Sequence, residues 1–174
     1  MSIIENINER LSFDMETIGC GGEKEIEQVL SKSPIQLPDD YIELLKSIVG
    51  PQNVGVEFLV KNDGSSICIW SAKMALTQYE DYHRMYTEDF FISNELVEFI
   101  ESVWFFGNDL GDLVYFYGKG KDGLGLYRVE DASFGVEEAD KIADTFTDFL
   151  VNGVGIDTAI TLSLIHISFN FIRR

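Results

Sequence analysis

The segment VWFFGNDLGDLVYFYG, residues 103–118, constrains the fold of this chain more than any other. Two runs of apolar and aromatic residues flank the short acidic sequence NDLGD. Runs that are apolar at nearly every position are typical of central strands buried on both faces of a sheet. Asn108 and Asp109 can accept hydrogen bonds from backbone amides in a turn, and Gly111 can take a positive φ. The pattern therefore favours two strands joined by a tight corner.

The same acidic sequence allows a second interpretation, as a metal site. Asp109 and Asp112 are paired carboxylates, which can bind Mg²⁺ or Ca²⁺, but a calcium loop of the EF-hand type needs several more oxygen ligands. The two histidines, His83 and His166, are far apart and have no cysteine or carboxylate at zinc-ligand spacing. The sequence contains no nucleophile-elbow, P-loop or dinucleotide-binding motif. We expect a non-enzymatic protein with no catalytic residues, metal or cofactor; a metal-dependent hydrolase that uses the two aspartates is the less favoured alternative.

Apolar periodicity predicts helices at both ends of the chain and strands in its middle. The expected helices are residues 3–11, 23–32, 38–49, 72–86, 94–102 and 139–150. The expected strands are residues 56–60 and 67–69, which an Asn-Asp-Gly turn joins as a hairpin, and then 103–106, 113–117 and 125–130. This order predicts a single α+β domain, in which helices on the N- and C-terminal sides pack on a curved antiparallel sheet. The expected core includes Tyr41, Leu45, Phe58, Phe105, Tyr115, Phe146 and Phe149.

Three stretches divide the chain: a lead-in with the first helix (1–22), the α+β domain (23–157) and a tail (158–174). The tail contains no acidic residue and includes both Arg173 and Arg174. Between residues 165 and 171, apolar and polar residues alternate with a strand period. The tail is therefore either an added edge strand or a segment outside the native fold, and we favour the second interpretation.

The charge of the chain restricts its partners. Thirty acidic and 13 basic residues give a formal net charge of −17. Such a body repels phosphate backbones, which argues against nucleic-acid binding, and attracts basic proteins. In the alternative interpretation, the acidic residues only keep the protein soluble. Because the start of the chain is polar, its two cysteines lack a disulfide pattern and no apolar run approaches ~20 residues, we expect a cytoplasmic protein that does not bind membranes.

Four motifs, in their order along the chain, resemble the SUKH superfamily, which includes the yeast cell-wall synthesis regulator and many bacterial immunity proteins. They are EIEQVLSKSPIQLPDDYIELLKS with its LPxxY element, FFGNDLGDLVYFY with its Gly-Asp pair, GLGLYRVED, and IADTFTDFL. The likeness spans roughly residues 23–152. One departure is the sequence IVGPQNVG at residues 48–55, where such domains usually carry an Asn-Gly-Gly-like turn.

The resemblance implies a non-enzymatic domain that binds and blocks a cognate toxin, often a nuclease or deaminase, in a polymorphic or contact-dependent toxin system. The acidic composition suits a basic toxin domain as the partner, with the chain itself a monomer or weak homodimer. A regulatory interaction module of the same fold, with a partner that is not a toxin, is the alternative.

The residues that we expect at the partner surface combine acids with tyrosines. Interfaces are rich in tyrosine, and carboxylates can occupy a site that is built for phosphates. For each of these residues, a purely solvated role is the competing interpretation. The expected contact residues are Glu80, Asp81, Tyr82, Tyr86, Glu88, Asp89, Asp109 and Asp112.

Overall fold

Seven strands form one curled antiparallel sheet in which each strand lies beside the next strand of the chain. The structure, a computed structural model, describes residues 2–48, 54–87 and 93–160. The strands are β1 (Leu11–Ser12), β2 (Gly55–Val60), β3 (Ser66–Trp70), β4 (Val103–Asn108), β5 (Leu113–Gly120), β6 (Gly123–Glu130) and β7 (Asp140–Ala143). The helices are α1 (Glu23–Lys32), α2 (Asp39–Ser47), α3 (Ala72–Thr87), α4 (Asn94–Ile100), α5 (Phe146–Leu150) and α6 (Ile156–Ile160). The predicted α+β architecture is confirmed.

The inner face of the sheet holds most of the core. Phe106 on β4 lies against Tyr41 of α2 and Phe146 of α5, with ring centroids 6.3 and 4.7 Å away. Tyr115 on β5 is fully buried on this face and donates its hydroxyl proton to the carbonyl oxygen of Ala159 in α6, at 3.0 Å. Helices α2, α5 and α6 therefore cover the inner face.

The outer face is covered at one end only. Phe105 and Phe116 are paired across β4 and β5, and Phe99 of α4 packs against both rings. Phe134, which follows β6, also packs against Phe105, at 5.2 Å. On the same face, register places Glu57 beside Cys68 at the β1–β3 end, where the side chains of Glu57 and Leu59 are exposed. The outer face is thus half helix-covered and half open.

The buried core matches the prediction made from the sequence. All seven predicted core residues are at most 4% exposed. They include Phe105 on the outer face and Tyr115 on the inner face, so β4 and β5 are buried on both sides. This double burial explains why the two runs around NDLGD are apolar at nearly every position.

The predicted N-terminal helix at residues 3–11 is wrong. A three-residue 3-10 helix, Ile4–Asn6, is followed by extended backbone at Ile7 and then by β1. Asn8 fixes this path, because its amide donates to the carbonyl oxygen of Leu150 at 2.8 Å and its side chain donates to that of Val151. The segment is therefore tied to α5, and Leu11 pairs with Val60 of β2.

The predicted helix at residues 139–150 is only half correct. Residues 140–143 form β7, the edge strand beside β6, and the helix α5 begins at Phe146. Asp140 pairs with Arg128 of β6 both in register and through a 3.1 Å hydrogen bond, which holds the segment on the sheet. Thr145 then starts the helix by accepting a hydrogen bond from the amide of Asp148. Apolar spacing alone could not separate the strand from the helix.

The boundary drawn before the tail cuts α6. Ile156 and Ala159 of this helix are fully buried, so residues 158–160 pack on the domain. The rest of the tail, residues 161–174, lies outside the described residues, as do residues 49–51, where the second helix was expected to end.

None of the described helices combines the length and the apolar character that crossing a membrane requires.

Candidate partner-binding face

The sequence NDLGD forms a tight corner between β4 and β5. One carboxylate oxygen of Asp109 accepts hydrogen bonds from the amides of Gly111 (2.8 Å) and Leu113 (3.0 Å), and Asn108 accepts one from Leu110. The positive φ is at Leu110 (63°), whereas the sequence had placed it at Gly111. A Cβ at position 111 would lie 3.2 Å from the carboxylate of Asp109, a tight contact that glycine avoids. The corner interpretation of this motif is therefore correct in outline.

This geometry commits the carboxylate of Asp109 to the backbone of the turn. The side chain of Asp112 is exposed, and its carbonyl oxygen accepts a hydrogen bond from the amide of Asp131 at 2.9 Å. Within residues 2–48, 54–87 and 93–160, no group of three or more potential metal ligands comes together. The described part of the chain thus brings no third histidine, cysteine, aspartate or glutamate to these two aspartates in a metal-binding group.

The acids predicted on α3 are already paired with bases. Glu80 forms an ion pair with Lys32 of α1. Asp81 lies 2.8 Å from the guanidinium of Arg84, one turn further along α3. These exposed pairs contribute little to stability, but they reduce the negative charge that the two acids present to a partner.

The tyrosines predicted on α3 belong to an aromatic cluster on the outer face. Tyr82 packs against Phe105 at 4.8 Å and Phe134 at 5.3 Å, and Tyr86 packs against Phe134 at 5.5 Å. Burial, followed by the nearby charge of Asp131, raises the pKa of Tyr82 to about 12. Both side chains are half-buried, so each presents only part of its surface to solvent.

The predicted contact residues fall into two groups rather than one patch. Tyr82 meets β4 at Phe105, and Asp109 follows four residues later, about 13 Å along an extended strand. Both groups border the outer face of the sheet. Glu88 and Asp89, the two other predicted contact residues, lie outside the described residues.

A groove that the sequence did not reveal separates α4 from the segment that follows β6. We call it the glutamate groove, because the charged residues in the described part of its lining are Glu95, Glu98, Glu137 and Glu138, with no basic residue among them. Leu96, Phe134 and Val136 supply half-buried apolar surface between the acids. The glutamates form two pairs, Glu95 with Glu98 and Glu137 with Glu138, and the pairs are at least 39 residues apart in the sequence. The two pairs line one groove only because both segments pack on Phe105.

A second groove lies over the open part of the outer face, and we call it the edge groove. Its volume is about 670 Å³. Three apolar side chains at its border are about half exposed: Val54 (53%), Leu59 (46%) and Leu110 (56%). Among the described residues that line it, only Asp14 and Glu57 are charged. One signal for it was present in the sequence, since Leu59 is out of phase with the buried positions Val56, Phe58 and Val60.

Comparison with known proteins identifies the family of this chain. The chain matches the family described as SMI1 / KNR4 family (SUKH-1) over residues 22–152. A search of curated proteins found no match to the chain. The match spans most of the described domain, from the start of α1 to the end of α5, and includes the LPxxY helix and the corner. The chain therefore belongs to the SMI1/KNR4 (SUKH-1) family.

Proposed function

We propose that this protein is a bacterial immunity protein, which binds and neutralises a cognate toxin domain with a basic, nuclease-type surface. Membership of the SUKH-1 family is consistent with an immunity-type domain. The observation that carries the proposal is the glutamate groove, where four acids and half-buried apolar side chains line one cleft, and no base is among the lining residues that the structure describes.

The charges of this groove suit recognition of a surface that binds phosphates. A nuclease active site presents lysine and arginine to nucleic acid, and carboxylates can form charge-assisted hydrogen bonds with the same groups. A net charge of −17 would also steer a basic protein towards the chain and speed the encounter. In this mechanism the immunity protein occupies the site that the toxin needs for its substrate.

The aromatic cluster beside the groove would support the complex. Tyr82 and Tyr86 are half-buried against Phe134, which itself lines the glutamate groove. Rigid aromatic side chains next to a charged cleft are the type of anchor that interfaces favour. Binding, rather than hydrolysis, also agrees with the role of Asp109, whose carboxylate oxygen holds two backbone amides of the corner.

Co-expression with the toxin domain encoded beside this chain in the source genome tests the proposal. We expect this chain to restore growth and to co-purify with the toxin domain as a stoichiometric complex. The variant Glu95→Lys/Glu98→Lys should lose protection, whereas Glu27→Lys/Glu43→Lys, with the same net charge on α1 and α2, should keep it. A chain that neither binds nor neutralises the neighbouring toxin would overturn the proposal.

A further inference from the structure

We propose that Arg128 is a recognition residue, which donates a hydrogen bond to the side-chain carboxamide of an asparagine or glutamine on the protein partner. The site is a small pocket between the end of β6 and the start of β7, and we call it the arginine pocket. Arg128 and Asp140 line it together with the start of β5 and the segment that follows β6. This inference rests on the proposed function, because it takes a protein as the partner.

Arg128 offers this pocket a hydrogen-bond donor that no described group uses. Its side chain is only 9% exposed, and one terminal nitrogen, Nη2, lies 3.1 Å from the carboxylate of Asp140. The other terminal nitrogen, Nη1, is buried and has no acceptor among the described residues. A buried donor without an acceptor destabilises a fold, so this guanidinium is better explained by a role in binding than by a role in folding.

The charges around the pocket favour a neutral group. Glu130, Glu138 and Asp140 line the pocket with Arg128. An anionic group would therefore meet three carboxylates, whereas a cationic group would add a positive charge beside a buried guanidinium and leave Nη1 without an acceptor. A carboxamide has no net charge and combines an acceptor oxygen with two N–H donors. Its oxygen can accept from Nη1 while its nitrogen donates to a carboxylate on the rim.

The size of the pocket suits the end of one side chain. Its volume is about 170 Å³, which is below the ~300 Å³ at which sites for drug-sized ligands begin. Leu113 and Val129 form buried apolar walls, against which the methylene groups of an asparagine or glutamine would pack. Ser133 and Glu138 are exposed side chains of the rim, so they can turn aside when the group enters.

The arginine pocket adjoins the glutamate groove. Glu138 lines both, while Ser133 lines the pocket and the residues from Phe134 to Glu137 line the groove. A basic side chain in the groove and a carboxamide in the pocket would therefore be neighbours on one partner surface. The groove attracts basic proteins in general. The pocket discriminates among them, because a partner without the carboxamide leaves the buried donor unpaired.

Titration of the ¹⁵N-labelled full chain with small molecules tests the pocket directly. The probe is propionamide, and its controls of matched size are propionate and propylammonium. We expect saturable shifts of the Arg128 Nε–H signal and of the backbone amides of Val129 and Glu130 with propionamide only. In Arg128→Met, the two backbone signals should no longer respond to propionamide.

The complex with the neighbouring toxin domain tests the role in recognition. Arg128→Met should dissociate at least tenfold faster than the unmodified chain, whereas its association rate should change less than twofold, because a buried hydrogen-bonding group acts mainly on dissociation. Lys119→Met is the matched control. It removes the same charge at an exposed position near the far end of β5, and it should leave the dissociation rate unchanged.

Several results would each overturn this inference. They are the absence of saturable shifts with propionamide, equal or stronger binding of propionate or propylammonium, and an unchanged dissociation rate for Arg128→Met. Binding of propionamide only to a chain that stops after Ile160 would show that the tail occupies the pocket, which also contradicts the proposal. A toxin complex that still forms and neutralises with Arg128→Met at the original rates would exclude Arg128 while leaving the proposed function intact. The titration of the unmodified chain decides the question even if that variant does not fold.

Discussion

Trp104 of β4 donates its indole N–H to the phenolic oxygen of Tyr41 of α2, at 3.1 Å, between two fully buried side chains. Tyr41 is the tyrosine of the LPxxY element, and its ring also stacks on Phe146 at 4.8 Å. Burial raises the pKa of this phenol far above its ordinary value. The tyrosine of this element therefore ties α2 to the central strand and to α5.

Removing this hydroxyl should destabilise the protein. Tyr41→Phe keeps the ring stacking but leaves the buried indole N–H of Trp104 without its acceptor, which costs about 1–3 kcal/mol. Urea denaturation followed by tryptophan fluorescence measures the change in the free energy of unfolding. Leu124→Ala, at an exposed site, serves as the control and should change it by less than about 0.5 kcal/mol. An unaltered stability for Tyr41→Phe would mean that another group satisfies the indole.

The sequence predicted those elements whose periodicity was unambiguous. The 62–64 turn produced the β2–β3 hairpin, and the apolar runs around NDLGD produced two strands buried on both faces. Residues 139–143 were misassigned because their three apolar positions suit both an edge strand and a helix, and the pairing of Asp140 with Arg128 decides between them. That pairing is a tertiary contact, which the spacing of apolar residues does not encode.

The candidate binding face was less predictable from the sequence. Leu59 and Leu110 become neighbours in one groove only through the register of β2, β3 and β4. Glu95 and Glu138 line one groove only because α4 and the segment after β6 both pack on Phe105. The sequence could identify acids and tyrosines as types of contact residue. It could not show which acids form an ion pair with a nearby base, as Glu80 does with Lys32.

The end of α6 supports the fold through Tyr115. A chain that stops after Asp157 loses the buried Ala159 and the carbonyl acceptor of the Tyr115 hydroxyl, whereas one that stops after Ile160 keeps both. We expect the shorter chain to be about 1–3 kcal/mol less stable than the longer one, because the phenol stays buried without its acceptor. Thermal unfolding of the two chains measures this difference. Equal stability would show that residues 158–160 contribute nothing to the domain.

The buried guanidinium of Arg128 is incompletely satisfied. Its Nη2 lies 3.1 Å from Asp140, but within the described residues its buried Nη1 has no hydrogen-bond partner. Because an ion pair of this kind gains little over a well-packed apolar side chain, Arg128→Met should leave stability unchanged or raise it. Asp140→Ala should instead lower the free energy of unfolding by about 1–3 kcal/mol, because the buried guanidinium of Arg128 then loses its counter-ion. The loss is smaller than for a fully buried ion pair, since the carboxylate of Asp140 is half exposed. Chemical denaturation of both variants checks the expected difference in sign.

The thiol of Cys68 should be poorly reactive. Burial, followed by the charge of Glu57, raises its pKa from 9.0 to about 11. At pH 8 this lowers the thiolate fraction roughly 100-fold, so in a Cys20→Ser background a disulfide reagent should react about 100-fold faster in denaturant than with the native chain.

The same pKa shift predicts a loss of stability at high pH. The native thiol stays protonated while the unfolded one ionises, so this contribution is complete below pH 9 and is lost as the pH rises towards 11. The free energy of unfolding should therefore fall more steeply over that interval than in a matched Cys68→Ala variant. Parallel pH dependence in the two proteins would contradict the shift.

Association with a basic toxin domain should depend on salt and on where the acids lie. Raising the ionic strength to about 0.15 M shortens the range of electrostatic steering to ~8 Å, so the association rate should fall several-fold from its value at low salt. Glu95→Lys/Glu98→Lys should slow association further without unfolding the chain, because both side chains are exposed. Glu27→Lys/Glu43→Lys changes the net charge equally but lies on α1 and α2, so stopped-flow rates for the two variants separate a specific groove from overall charge. If salt, Glu95→Lys/Glu98→Lys and a reversal at Glu88 and Asp89 all leave the rate unchanged, these acids serve only solvation, and the contact must lie elsewhere on the domain.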